Sequence, residues 1–179
     1  LARVPGKFVG GLHLPDDQTG DCHLFTQRLA EHCREHLGVT FRFGVDIQRI
    51  ERQAGRVERV VTSAGSLRAD AYVVCLGSFS PLLVKDLDIR LPIYPVKGYS
   101  LTLPVTDDGG APQSTVMDET FKVAISRFDD RIRVGGTAEL ASYDLSLLEK
   151  RRATISMVVR DVFPEGGDAA KAEFWTGLR

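Results

Sequence analysis

Short segments rich in β-branched and aromatic residues, separated by polar turns, dominate the second half of the chain. These segments span residues 96–104, 114–117, 120–126 and 131–135, with turns at residues 107–110 and 129–130. Connections this short join antiparallel neighbours, because a parallel crossover needs a dozen or more residues. The pattern therefore predicts an antiparallel meander.

A long helix and a final strand follow these segments. Ser146-Leu147-Leu148-Glu149 has the spacing of a capping box at a helix start. Apolar residues then recur at helical spacing before Pro164, namely Leu148, Ile155, Val158, Val159 and Val162. The final strand, residues 171–178, places Phe174 and Thr176 on one face, and Glu173, Trp175 and Gly177 on the other. We expect the helix to pack across the sheet.

The first half of the chain combines one helix with several β-segments. Asp21 is suited to cap the helix and Gly38 to end it. The apolar stripe of this helix consists of Leu24, Phe25, Leu29, Cys33 and Leu37. β-Segments are predicted at residues 39–43, 46–52 and 57–62, with a turn at Gly55 between the last two.

A short apolar run, Ala71 to Leu76, ends at Gly77 and is typical of a buried parallel strand. One or two helical turns are predicted over residues 80–87, and Pro92 and Pro95 mark a change of region. The sequence therefore predicts an α+β fold with two lobes, divided into residues 1–91 and 92–179.

Composition gives little indication of a macromolecular partner. The formal net charge of −1 gives no reason to expect nucleic acid or an anionic membrane surface. No run approaches the roughly 20 apolar residues that a membrane-spanning helix requires. The three cysteines are an odd number without C-x-x-C spacing, which suits reduced thiols in the cytosol and predicts no metal site.

Two features could carry function. The segment that ends at Gly77-Ser78 would let a diphosphate or a flavin edge approach the backbone, although many buried strands end in a turn glycine. Arg179, after Gly177, could present its guanidinium to a carboxylate, or could be a solvated charge at a strand end. The sequence contains no G-x-G-x-x-G loop and no Ser-His-Asp set, and we predict no catalytic side chain.

Five collinear motifs resemble the small subunits of D-amino-acid dehydrogenases. These enzymes belong to the FAD-dependent family that includes D-amino-acid oxidase, glycine oxidase and sarcosine oxidase. The resemblance covers essentially the whole chain, and its motifs are residues 20–22, 74–78, 95–100, 131–139 and 174–179.

The resemblance implies a substrate domain with a large antiparallel sheet and helices, plus part of a Rossmann-type FAD-binding domain. The expected FAD contacts are Ile47, Leu76, Gly77, Ser78 and Gly98. The family's N-terminal G-x-G-x-x-G loop and its C-terminal flavin-covering segment are not in this sequence. We therefore expect the chain to represent a middle section of such an enzyme and to bind FAD poorly by itself.

Arg179 matches the arginine of the family's Gly-Leu-Arg-Pro motif, which binds the substrate carboxylate in members similar to glycine oxidase. Lys97 and Tyr99 fall in the segment that enters the substrate domain, and the resemblance makes them further candidates for substrate contact. The implied reaction is hydride transfer from a D-amino acid to the flavin, followed by hydrolysis to a 2-oxo acid and ammonia. The cofactor would carry the chemistry, and the protein would orient the substrate.

Two alternatives remain open at the level of sequence. The substrate could be glycine or a secondary amine such as sarcosine, or the chain could be a non-catalytic binding domain that keeps only the fold. The resemblance further implies a respiratory electron acceptor, a cytoplasmic location and peripheral attachment to the inner membrane.

Overall fold

The computed structural model describes residues 4–179, which form two compact units. The larger unit contains residues up to Cys22 together with Val96–Arg179, and the smaller unit is His23–Pro95. Both units combine helices with antiparallel strands, which confirms the predicted α+β class.

Helix α1 (Cys22–His36) begins after Asp21, as predicted. Gly38 has a φ of +66°, and the amide of Val39 donates to the carbonyl of Cys33 at 3.1 Å. Gly38 thus adopts the left-handed conformation just beyond the helix, as glycine commonly does at this position. The apolar stripe of the helix is present but uncovered, since Phe25 is 66 % exposed and Leu29 is 48 % exposed.

The smaller unit also contains a sheet of three antiparallel strands: β1 (Ile47–Gln53), β2 (Arg56–Thr62) and β3 (Gly65–Leu67). Ala54 and Gly55, with φ of +50° and +78°, form the tight turn between β1 and β2, close to where the sequence predicted it. The predicted strand at residues 39–43 is wrong. No strand among residues 4–179 pairs with this segment, so its backbone lacks the hydrogen bonds that define a strand.

The apolar run before Gly77 also differs from the prediction. Residues 71–76 are irregular, and Val73 is 85 % exposed. A buried parallel strand requires neighbours on both edges, and the described part of the chain supplies none. The helical turns that follow are confirmed. Helix α2 (Ser80–Val84) lies between two short 3-10 turns, Gly77–Phe79 and Lys85–Leu87.

A five-stranded antiparallel sheet forms the larger unit. In chain order its strands are β4 (Lys97–Pro104), β5 (Val116–Asp118), β6 (Val123–Phe128), β7 (Arg131–Glu139) and β8 (Glu173–Leu178). Their spatial order is β5-β6-β7-β4-β8, so the predicted meander holds for β5 to β7, whereas β4 pairs with β7 and β8. β4 is largely buried, so its backbone N–H and C=O groups need partners within the protein. Its position between β7 and β8 provides them on both edges.

Helix α3 (Glu149–Val162) packs against one face of this sheet. Its predicted stripe is confirmed at Ile155, Val158, Val159 and Val162, which are buried, whereas Leu148 is 40 % exposed. The predicted capping box is wrong. Leu148 occupies the cap position, and the hydroxyl of Ser146 donates instead to Asp144 at 2.7 Å.

Candidate functional site

The strand register of the larger unit separates two faces of the sheet. Directly paired residues of antiparallel strands point to the same side, and successive residues alternate between sides. Tyr99, Leu101 and Phe174 therefore face α3 and the core. We call the opposite side the open face. It carries Gly98, Ser100, Thr102, Arg133, Gly135, Glu173, Trp175, Gly177 and Arg179.

Arg179 lies at one end of the open face. Its amide donates to the carbonyl of Val96 at 2.9 Å, and the amide of Val96 donates back at 2.8 Å, so the end of the chain is held beside β4. The guanidinium passes over Gly98, where a Cβ would lie 3.7 Å from Cζ, and Nη2 donates to the carbonyl of Thr137 at 3.0 Å. Within residues 4–179, Arg179 forms no salt bridge. The cation is positioned by backbone contacts and keeps other N–H donors for an anion.

A bulge in β7 creates the acceptor for Arg179. Between the pairs Lys97–Glu139 and Tyr99–Gly136, β7 has one residue more than β4. Thr137 takes up this extra residue with a φ of +71°. Such bulges re-aim backbone groups, and this one directs the Thr137 carbonyl to the guanidinium.

A tryptophan and a second arginine lie together on the same face. The indole of Trp175 folds over Gly177, where a Cβ would overlap the far edge of the ring. The guanidinium carbon of Arg133 lies 5.6 Å from the indole centroid, and Arg133 donates to the hydroxyl of Thr102 at 3.0 Å. This cation–π contact and hydrogen bond fix the indole on the open face.

Lys97 and Tyr99, the other two candidates for substrate contact, point to the helix side. The side chain of Lys97 is fully buried, and its Nζ donates to the carbonyl of Ser146 at 2.6 Å and lies 3.5 Å from Asp144. Tyr99 stacks on Phe174 with ring centroids 5.7 Å apart. Their side chains therefore lie on the other side of the sheet from Arg179.

Burial and neighbouring polar groups shift the pKa values of Lys97 and Asp144 in opposite directions. Burial lowers the pKa of Lys97, but the interactions with Tyr99 and Asp144 outweigh burial, and the net pKa lies above its ordinary value. The pKa of Asp144 is lowered by hydrogen bonds from the side chain and backbone of Ser146 and by the nearby Lys97. Both groups are therefore charged at neutral pH, and they tie β4 to the segment before α3.

The candidate cofactor contacts divide between the two units. Gly98 lies under Arg179 in the larger unit. In the smaller unit, Ile47 and Leu76 line one apolar groove together with Ile50, Val60, Tyr72, Val73, Val74, Cys75 and Leu83. Gly77 has a φ of +54°, and its α-carbon faces open space, whereas Ser78 is 7 % exposed. The groove is lined mainly by apolar side chains, and the accessible backbone of Gly77 directly follows Leu76 in the chain.

Two side chains that the structure places near Arg179 on the open face, Trp175 and Arg133, were not among the candidates from the sequence. Strand parity predicted that Trp175 and Gly177 share a face, and Arg179 has the same parity. The sequence suggested that Gly177 leaves room beside Arg179, but the indole fills that space, and Gly98 of the neighbouring strand provides the room. The alternation of side chains along a strand predicts which residues share a face of the sheet, but it does not predict which of the two faces α3 covers.

Comparison with solved structures defines the class of the fold. Glycine oxidase from Bacillus cereus superposes with a TM-score of 0.62 at 19 % identity, over 75 % of this chain and 36 % of that one. L-amino acid deaminase from Proteus myxofaciens gives a TM-score of 0.63 at 17 % identity, over 86 % and 46 %. The chain thus shares the fold of the matching parts of these two proteins.

The chain belongs to the DAO family of FAD dependent oxidoreductases, whose family model matches residues 1–179. It is 99 % identical over 179 residues to a D-amino acid dehydrogenase from Chromohalobacter salexigens, covering all of this chain and 43 % of that protein. D-amino acid dehydrogenases from Methylobacterium nodulans and Vibrio vulnificus are 62 % and 59 % identical, again over all of this chain and 42–43 % of their length. The chain spans less than half the length of these curated relatives. Within residues 4–179, no helix has both the length and the apolar character to cross a bilayer.

Proposed function

We propose that this chain supplies the substrate-carboxylate site of an FAD-dependent dehydrogenase that converts D-amino acids to 2-oxo acids and ammonia. The observation that carries the proposal is the position of Arg179. It is a cation without a salt-bridge partner in residues 4–179, and a backbone carbonyl and a glycine hold it on the open face. The names of the relatives at 59–99 % identity support the same activity.

Arg179 suits this role because a guanidinium stays charged and can pair two nitrogens with two carboxylate oxygens. Such pairing fixes the orientation of the substrate's α-carbon as well as its position. When bound, FAD would accept the hydride from the α-carbon, and the resulting imino acid would hydrolyse to the 2-oxo acid and ammonia. The chain's own contribution is then binding and orientation, and no side chain of this chain needs to act as a catalytic acid or base when the substrate amine binds in its neutral form.

We further propose that residues 1–91 contribute to the FAD-binding region and residues 92–179 to the substrate domain. Ile47, Leu76, Gly77, Ser78 and Gly98 are the proposed cofactor contacts. The apolar groove and the accessible backbone at Gly77 support this assignment. Lys97 and Tyr99 would support β4 from the helix side, leaving direct contact with the carboxylate to Arg179. As the electron acceptor we propose a respiratory carrier, reached by peripheral attachment at the cytoplasmic face of the inner membrane.

A substrate screen tests the proposal. A full-length dehydrogenase that contains this segment, such as the Chromohalobacter salexigens relative, would be assayed with a dye acceptor. The panel would contain D-alanine, larger D-amino acids, glycine and sarcosine. Turnover of D-amino acids is expected. Turnover restricted to glycine or sarcosine would instead support the other amine substrates of the same fold, and no turnover of any amine would favour a non-catalytic domain.

Replacement of Arg179 tests the carboxylate site directly. We expect Arg179→Ala in the full-length enzyme to lower kcat/KM by about 2–4 kcal/mol in transition-state free energy, mainly through a higher KM, because the bound carboxylate loses its charged partner. Arg160→Ala is a matched control. Arg160 is exposed on α3 and donates to the Ser156 carbonyl of its own helix. Unchanged kcat/KM in Arg179→Ala would remove this arginine from the site.

A further inference from the structure

Arg179 and Trp175 lie close enough on the open face to contact one small molecule. The guanidinium lies over Gly98, the indole lies over Gly177, and these two glycines are register partners on β4 and β8. Cβ positions of opposed residues are about 5 Å apart. The guanidinium and the indole edge are therefore separated by roughly 10 Å at most, which is comparable to the length of an amino acid with a medium-sized side chain.

We propose that Trp175 is a specificity-determining residue whose indole contacts the side chain of a D-amino acid while Arg179 holds its carboxylate. This inference rests on the proposed function and deepens it by naming the substrate class, D-amino acids with uncharged apolar side chains. The substrate's carboxylate would pair with the guanidinium of Arg179, and its side chain would extend towards the indole.

The surroundings of the indole favour an apolar side chain. Trp175 is a large apolar residue that is 56 % exposed on the open face, where it lies between Glu173 and Gly177 along β8. A Cβ added at Gly135, two strands away, would meet no atom within 4 Å, so space is available there for a ligand. Covering the exposed part of the indole with a substrate side chain would remove apolar surface of both from water.

Arg133 adds rigidity and discrimination. Its guanidinium stacks over the indole and is held by Thr102, so Trp175 is positioned before any ligand arrives. The same positive charge opposes lysine-like and arginine-like side chains, because bringing a second cation to the indole costs free energy. Ser100, the register partner of Trp175, is 5 % exposed, and its hydroxyl has no hydrogen-bond partner within residues 4–179. A polar group of a bound ligand could provide that partner.

The test is a substrate-specificity profile of the full-length enzyme with Trp175→Ala and Trp175→Phe. For each variant, kcat/KM would be measured for D-alanine, D-leucine, D-methionine and D-lysine. We expect Trp175→Ala to lower kcat/KM for D-leucine and D-methionine at least tenfold more than for D-alanine, because only the larger side chains reach the indole. Trp175→Phe should recover most of this preference, since it keeps an aromatic surface.

Two further variants keep the test decisive even if Trp175→Ala does not fold. Arg133→Gln retains Trp175 itself and should improve D-lysine relative to D-leucine, since the repelling cation is removed. Met157→Ala, on α3 at the opposite face of the sheet, should leave the specificity profile unchanged.

The possible outcomes separate this inference from the function on which it rests. If the Trp175 variants change kcat/KM for all D-amino acids by the same factor, or if Arg133→Gln leaves the D-lysine to D-leucine ratio unaltered, the inference is overturned while the dehydrogenase function stands. If the wild-type enzyme oxidises no D-amino acid, the proposed function fails, and the inference fails with it.

Discussion

Two neighbouring residues of β4, Lys97 and Gly98, face opposite sides of the sheet and therefore have different surroundings. Lys97 is fully buried on the helix side, whereas the α-carbon of Gly98 faces the guanidinium of Arg179 on the other side. The sequence motif grouped Lys97, Gly98 and Tyr99 as one functional segment. Alternation of side chains divides that segment, so that Gly98 belongs to the open face while Lys97 and Tyr99 hold the strand from behind.

Asp144 offers a test of this support at the residue scale. Its folded pKa is lower than its ordinary value, so its contribution to stability is present above that ordinary value and is lost as the pH falls through the folded pKa. We expect Asp144→Asn to lower the Tm by about 1–3 °C at pH 7. The gap to the wild type should narrow below about pH 4 as the wild-type carboxylate is protonated.

Thermal unfolding of the 179-residue chain between pH 3 and pH 7 would measure this difference. Asp130→Asn is the control, because Asp130 is exposed and makes no ion pair within residues 4–179. A gap between Asp144→Asn and the wild type that persists undiminished at acid pH would contradict an electrostatic role for Asp144.

At the scale of elements, the sequence predicted correctly β1, β2, β4 and β8, each of which pairs with another strand, and it was wrong for two segments that do not. The β1–β2 hairpin needs only a tight turn at Ala54 and Gly55, and helix α1 carries its own start and end signals. Residues 39–43 and 71–76 have strand-like patterns as well. A strand, however, is completed by a neighbour, and no described residues pair with these two segments. The spacing of apolar residues indicates that a segment can form a strand, but it does not show whether another strand is available to pair with it.

The last strand, β8, allows a test of how the open face is shaped. A Cβ at Gly177 would overlap the indole of Trp175, whereas one at Gly135 would meet nothing within 4 Å. We expect Gly177→Ala to displace the indole and to lower the free energy of unfolding by less than about 1 kcal/mol, because the overlapped atoms are the far end of a side chain that is 56 % exposed. Gly135→Ala should have little effect on either property.

Trp175 is the only tryptophan among the 179 residues, so intrinsic fluorescence reports on it alone. Displacement into water should shift the emission of Gly177→Ala to longer wavelength and increase quenching by acrylamide relative to both the wild type and Gly135→Ala. Identical spectra for the two alanine variants would show that the indole does not lie over Gly177.

At the scale of the whole molecule, the two units differ in how completely they bury apolar side chains. The larger unit encloses a core between its sheet and α3, with Ile125, Ile132 and Ile155 fully buried. The smaller unit leaves much of its apolar surface uncovered, including the stripe of α1 and Val73. Exposed apolar groups at this density mark a surface that another protein segment covers. Because the chain spans 43 % of its 99 % identical relative, that relative contains many residues that could cover this surface.

Replacement of Phe25 on α1 tests whether the exposed apolar surface of the smaller unit is covered in the full-length enzyme. Its side chain is 66 % exposed, so Phe25→Ala should change the free energy of unfolding of the 179-residue chain by less than about 0.5 kcal/mol. In the full-length dehydrogenase, we expect the same substitution to lower the free energy of unfolding by about 3–5 kcal/mol, the range for removing a buried phenylalanine.

Phe163→Ala is the control. Phe163 is 2 % exposed in the larger unit, so this substitution should destabilise both proteins. Urea unfolding of the four variants would decide the point. An equally small effect of Phe25→Ala in both proteins would mean that α1 presents its apolar stripe to water in the complete enzyme as well, and the surface would then require a separate partner.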